Sequence, residues 1–221
     1  QLELRQTGDF FHGEGNFDLA GEHAYSGAFQ TSVAQIANYR GFIPQGFAPW
    51  PLEGAVAAEW KGGGANKGAS GSFHARARNL RVANGPLVPF DVELEADYSP
   101  ESIFFRQFHV WNERADLSAF VGVAKNYIQA QGLRFDLNGS PRVYGNIFAP
   151  ISARKLREGS SWLAALSADP FFDVDLTLDA VDLTEFAAAV KANPDFSGQA
   201  NGKLQLSGTP GSLQGKSEIH L

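Results

Sequence analysis

The feature that most constrains how this chain folds is a strict alternation of apolar and acidic residues. Phe90, Val92, Leu94, Ala96 and Tyr98 interleave with Asp91, Glu93, Glu95 and Asp97, nine residues without an exception. Phe172, Val174, Leu176, Leu178 and Ala180 interleave in the same way with Asp173, Asp175, Thr177 and Asp179. Successive side chains of a strand point to opposite faces, so each run has one wet face and one dry face, as in antiparallel sheets. Residues 1–6, 13–29, 53–61, 70–82, 133–138 and 202–207 carry weaker versions of the pattern. The stretch IFFRQFHVW (103–111) is the most hydrophobic strand, and its phase slips midway, which predicts a β-bulge.

Turn chemistry separates these runs. Thr7-Gly8-Asp9, Gly62-Gly63-Gly64, Asn84-Gly85-Pro86, Ser99-Pro100 and Asn138-Gly139-Ser140-Pro141 supply positive φ or a preset turn. Short strands tied by tight turns make a meander. Helical patterns are few: 31–40, with Thr31/Ser32 as cap; 160–168, ending before Asp169-Pro170; and 182–192. The last has Asp182 as cap, Glu185 at the third helical position, an apolar stripe of Leu183, Phe186, Ala187 and Val190, and a stop at Asn193-Pro194. Residues 41–51 read as a loop anchored by Phe42, Phe47 and Trp50. The expected architecture is therefore mainly β, an antiparallel meander curved into an open trough with two or three short helices. A strand, capped helix, loop and hairpin run from 24 to 77 and again from 173 to 221, an offset of 146 residues at Trp60/Leu206. Such repetition suggests one elongated β region over 1–221 that grows by adding hairpins, with sub-units 1–157 and 158–221.

Composition narrows the function. With 221 residues, 43% of them hydrophobic and 12% aromatic, the chain has enough apolar material for a core. A net charge of −6 argues against nucleic-acid binding, which depends on neutralising phosphates. No cysteine is present, so disulfides and thiolate metal sites are excluded. No run approaches a membrane span, and the chain opens on Gln1-Leu2-Glu3-Leu4 with no methionine anywhere, as expected of a processed or excised piece of something longer.

Signals for chemistry are weak. His12, His23, His74, His109 and His220 are dispersed, without the convergence a metal site needs. Asp173-x-Asp175 has acids at loop-like spacing, but the alternating Val174, Leu176 and Leu178 demand a strand and the calcium-loop glycine is missing. The row Asp91, Glu93, Glu95 and Asp97 places same-face carboxylates about 7 Å apart, a spacing compatible with inverting glycoside hydrolysis; an acidic outer face accounts for it more simply. Ser160-Ser161 lacks a nucleophile elbow. Arg154-Lys155-x-Arg157 reads as a solvated basic turn, with anionic headgroups or an acidic partner as the functional alternative. No catalytic residue, metal ligand or cofactor site emerges.

Four phrases carry a resemblance. LQLSGTPGSLQGKSEIHL (204–221), FDLNGSPRVYGNI (135–147), NLRVANGPLVPFDVELEADYSPESIFFRQFHV (79–110) and VDLTEFAAAVKANPDFSGQANGKLQLSG (181–208) resemble the hairpin repeats of the TamB/AsmA-like bacterial envelope proteins. That resemblance implies a periplasmic segment of a parent protein anchored in the inner membrane. It implies a lengthwise-folded β-taco trough with an apolar lining, and roles in phospholipid transport, protein secretion and outer-membrane protein assembly. The partners it implies are phospholipid acyl chains and an outer-membrane assembly protein.

Alternation alone supports a trough independently. A sheet with one apolar face must cover it with another sheet, with helices or with a ligand, and the helices here are short. The lining expected from the pattern is Val92, Leu94, Ala96, Tyr98, Phe104, Phe108, Val174, Leu176, Leu178, Leu204 and Leu206. Alternation shows which face is dry, and leaves open whether protein or lipid dries it. The alternative function is a β-sandwich carbohydrate-binding or adhesion module with Trp50, Trp60 and Trp111 as its platform.

Overall fold

The computed structural model describes residues 2–6, 8–19, 21, 23–42, 52–65, 68–82, 88–152, 171–185, 197–209, 212 and 214–220. Thirteen strands lie in one sheet in chain order. They are β1 (Leu2–Gln6), β2 (Asp9–Phe17), β3 (Tyr25–Val33), β4 (Leu52–Ala65), β5 (Gly68–Val82), β6 (Phe90–Tyr98) and β7 (Ser102–Trp111). Then come β8 (Ala115–Ala124), β9 (Ile128–Leu137), β10 (Ser140–Ala149), β11 (Phe172–Asp182), β12 (Gln199–Gly208) and β13 (Gln214–His220). Each strand pairs antiparallel with its neighbours in sequence, and β1 and β13 are the two outer strands. The molecule is mainly β, an antiparallel meander that does not close into a barrel. β10 pairs directly with β11, so one sheet runs across both sub-units expected from the repeat.

The two strictest alternations became β6 and β11, and the phase slip in β7 is a bulge: Glu95 pairs with Gln107 and Ala96 with Phe105, leaving Arg106 over. Three local expectations are corrected. Gly62, Gly63 and Gly64 make no turn; they lie inside β4, where close backbone packing needs a residue without a side chain. The stretch 13–29 is two strands, β2 and β3, separated by a turn with Gly21 at φ 75° and His23 at φ 53°. The helix expected over 31–40 begins later. Thr31, Ser32 and Val33 complete β3, because Phe29, Thr31 and Val33 keep the period of two, and a 3-10 helix follows at Ile36–Phe42.

That 3-10 helix is fastened to β2 by one carboxylate. Asp9 accepts the Ala34 N–H at 2.8 Å and the Tyr39 hydroxyl at 2.6 Å. Both bonds favour the charged form, so the Asp9 pKa lies below the usual carboxylate range and that of Tyr39 above the usual phenol range. After β11, Leu183, Thr184 and Glu185 are helical, and Asp182 caps them by accepting the N–H groups of Thr184 and Glu185, each at 2.9 Å. The two repeated segments thus share an order: strand, helical start, connection, hairpin. The 160–168 helix, the rest of 182–192, Phe47, Trp50, Asn84-Gly85-Pro86, the basic cluster at 154–157 and Ser160-Ser161 lie outside the described residues.

Candidate functional site

Register shows that one face is apolar from β3 to β12. Paired residues of antiparallel strands share a face. Val33 pairs with Val56, Val56 with Ala77 and Ala77 with Val92. The series continues through Val110, Leu117, Phe135, Val143 and Leu178 to Gly202. Two same-face positions along the strands, a parallel row runs from Phe29 through Trp60, Phe73, Ala96, Phe105, Val121, Ala130, Ile147 and Val174 to Leu206.

Ten of the eleven expected lining residues stand on this face: Val92, Leu94, Ala96, Tyr98, Phe108, Val174, Leu176, Leu178, Leu204 and Leu206. Phe104 does not. It pairs with Asp97, so it stands on the polar face, 40% exposed, and Phe105 takes the apolar position. The bulge at Arg106 is the reason, since the extra residue reverses the phase of everything before it in β7. Sequence reasoning foresaw the slip and read its phase from the wrong side.

Burial on the apolar face is partial. Of the ten, only Ala96 is buried and the others are half-buried. Among the described residues the buried apolar side chains are Val33, Ala96, Ala119, Leu137, Val181 and Ala200, and Leu137 is the one large side chain fully out of water. Ala96 owes its burial to an aromatic arch. Phe73 and Phe105, two strands apart, meet above it edge to face at 5.8 Å, and Phe105 meets Phe108 in the same way at 6.2 Å. Alternation could not reveal this arch, because it depends on which strands are neighbours.

A second feature of this face is a row of glycines. Gly15, Gly27, Gly62 and Gly71 pair in series across β2 to β5, and Gly71 pairs with Tyr98. Trp60 and Tyr98 lie down over this row, the Trp60 Nε1–H donating to the Tyr98 hydroxyl at 2.7 Å. A Cβ on Gly62 would stand 2.7 Å from that hydroxyl and 3.0 Å from Trp60 Cζ2. The signal was visible in sequence as recurring glycines, without the register that aligns them.

The opposite face is polar and internally paired. Glu93 accepts from Arg76 Nε at 2.7 Å and lies 3.3 Å from His74. Arg106 bridges Glu95 and Asp97 at 3.0 Å each, and Asp91 accepts the Asn79 N–H at 2.9 Å. The hydrogen bond from Arg76, helped by His74, holds the Glu93 pKa below the usual carboxylate range, the reverse of what a general acid needs. The carboxylate row therefore acts as a charge ladder between β5 and β7. A cleft of about 780 Å³ opens on this polar face over β2 to β7, lined among others by His12, Gln30, Glu59, Arg76, Glu95 and Arg106. Among the described residues no cluster of His, Cys, Asp and Glu is placed to hold a metal ion.

Of the three tryptophans expected to form a carbohydrate platform, Trp50 lies outside the described residues. Trp60 stands on the apolar face, whereas Trp111 pairs with Asp91 on the polar face and stacks on His109 at 4.2 Å. No protein-family model, curated protein or solved structure matches the chain.

Proposed function

We propose that this chain is a non-catalytic segment whose apolar face holds phospholipid acyl chains, within a periplasmic protein that moves lipid between the inner and outer membranes or assists outer-membrane protein assembly. The observation that carries the reading is a greasy surface continuous from β3 to β12, on which the expected lining is half-buried apart from Ala96, which is buried. Nine interstrand spacings of ~4.8 Å make it roughly 43 Å long. Soluble proteins rarely leave so much contiguous apolar surface uncovered unless something binds there. Each methylene withdrawn from water contributes about 0.8 kcal/mol, so ten of them supply about 8 kcal/mol before ordering costs. No nucleophile or cofactor is needed for that work. The likeness of the hairpins to the TamB/AsmA-like proteins supports the same reading and supplies its cellular setting.

Position-specific photo-crosslinking tests it. A benzophenone side chain at Leu94 or Leu176 should capture phospholipid when the protein is purified from an envelope fraction, and one at Glu95 or Asp175, on the other face, should not. Leu94→Arg and Leu176→Arg should reduce co-purified phospholipid, read by native mass spectrometry, at least tenfold. Equal labelling from both faces, or undiminished lipid in both arginine variants, would refute the assignment.

A further inference from the structure

The glycine row carries a pair of hydroxyls that the apolar face does not otherwise explain. Tyr98 receives the Trp60 N–H, and among the described residues its own proton has no acceptor. Tyr25, 39% exposed at the end of β3, has no hydrogen-bond partner for its hydroxyl among the described residues. Each sits over a glycine of β4: a Cβ on Gly64 would be 3.0 Å from the Tyr25 hydroxyl, and one on Gly62 would be 2.7 Å from that of Tyr98. Gly62 and Gly64 are two residues apart on one strand face, so the two hydroxyls stand over floor positions roughly 7 Å apart. The Thr31 hydroxyl, two rows away on the same face, is already spent on the carbonyl of Phe10 at 3.0 Å.

Two hydroxyls with no protein acceptor among the described residues, over a side-chain-free floor in a greasy surface, suit a ligand with two acceptors, no donors of its own at that place, and apolar chains beyond it. The linkage region of a diacyl glycerolipid has that chemistry: two ester carbonyls, each able to accept one hydrogen bond, with acyl chains attached. A dialkyl ether lipid offers the same chains without the carbonyls. A donor left unpaired on desolvation penalises the ether ligand, so the pair discriminates linkage chemistry and not chain length.

We infer that Tyr98 and Tyr25 are specificity-determining residues that read the ester linkages of a diacyl phospholipid lying on this face. The inference rests on the proposed lipid-binding function. The test is competition between diacyl and dialkyl phosphatidylcholine of equal chain length, presented in mixed vesicles to the whole protein and read as bound masses by native mass spectrometry. Wild type should prefer the ester lipid by more than tenfold, about fivefold for each hydroxyl. Tyr98→Phe and Tyr25→Phe should each lose about fivefold, and the double variant should bind both lipids alike while still binding lipid. Wild type binding both lipids equally, or a preference surviving in the double variant, overturns the inference and leaves the lipid-binding reading standing. Binding of neither lipid overturns both.

Discussion

At the scale of single residues, what the sequence conceals is mostly the identity of neighbours. Glu93 reads in the chain as one acid in a row of four; in the sheet it is the acceptor of Arg76 and the neighbour of His74. Its pKa is lowered on folding, so its contribution to stability is fully present above the ordinary glutamate value of about 4.3 and is lost as the pH falls through the lower folded value. Glu93→Gln should therefore flatten the acid limb: urea midpoints measured from pH 7 down to pH 3 should fall less steeply in the variant, with the two curves converging at the acid end. Parallel curves would show that this carboxylate is not linked to folding. Gly62 shows the same limit of legibility. As one of three consecutive glycines it has the composition of a turn, and only the approach of Ser70 and the Trp60 ring explains why the absence of a side chain serves a strand interior.

Elements were legible where the period of two was clean and obscure where one residue broke it. β6 spans the residues that alternation marked, whereas β8 gave no usable signal. Leu117, Ala119, Val121 and Val123 do alternate there, but Phe120 and Gly122 occupy the polar face and erase the contrast. The bulge in β7 offers a sharper test of register. With Arg106 left out, Gln107 still opposes Glu95 and Phe105 still opposes Ala96 and Val121, so its deletion regularises the ladder on both sides. The losses are ion pairs of an arginine that is 57% exposed, worth little in water. Deleting Arg106 should thus move the thermal midpoint by no more than about 5 °C. Deleting Leu94, an in-phase residue in the middle of β6, would reverse half of that strand and should abolish cooperative melting. Calorimetry of the two deletions distinguishes the cases; comparable damage from both would contradict the assigned bulge. The helical starts behave differently again, since Asp182 was identifiable as a cap while the fastening of the 3-10 helix by Asp9 joins residues 25 or more positions apart.

For the whole molecule, the alternation correctly implied an open meander and left unspecified how unevenly its dry face is covered. The exposed members of that face, Phe17, Tyr25, Phe29 and Ile103, lie toward the edge formed by the β2–β3 and β6–β7 turns. Val33, Leu137 and Val181, all buried, lie toward the opposite edge, from which the 3-10 helix and the Asp182-capped turn depart. A surface of this kind should bind 8-anilinonaphthalene-1-sulfonate saturably in the native state, with added phospholipid vesicles displacing the dye. A protein with a sealed core would bind it only on partial unfolding, and that outcome in a titration below the melting transition would contradict an accessible face. Pairing confined to sequence neighbours has one more consequence. Every strand docks on the one made just before it, and no strand has to wait for a distant partner. Loop closure is cheap at each step, and the growing edge is always the most recent hairpin. Such a chain can zip itself up from one end while the other is still being synthesised, with never more than one fresh edge awaiting its successor.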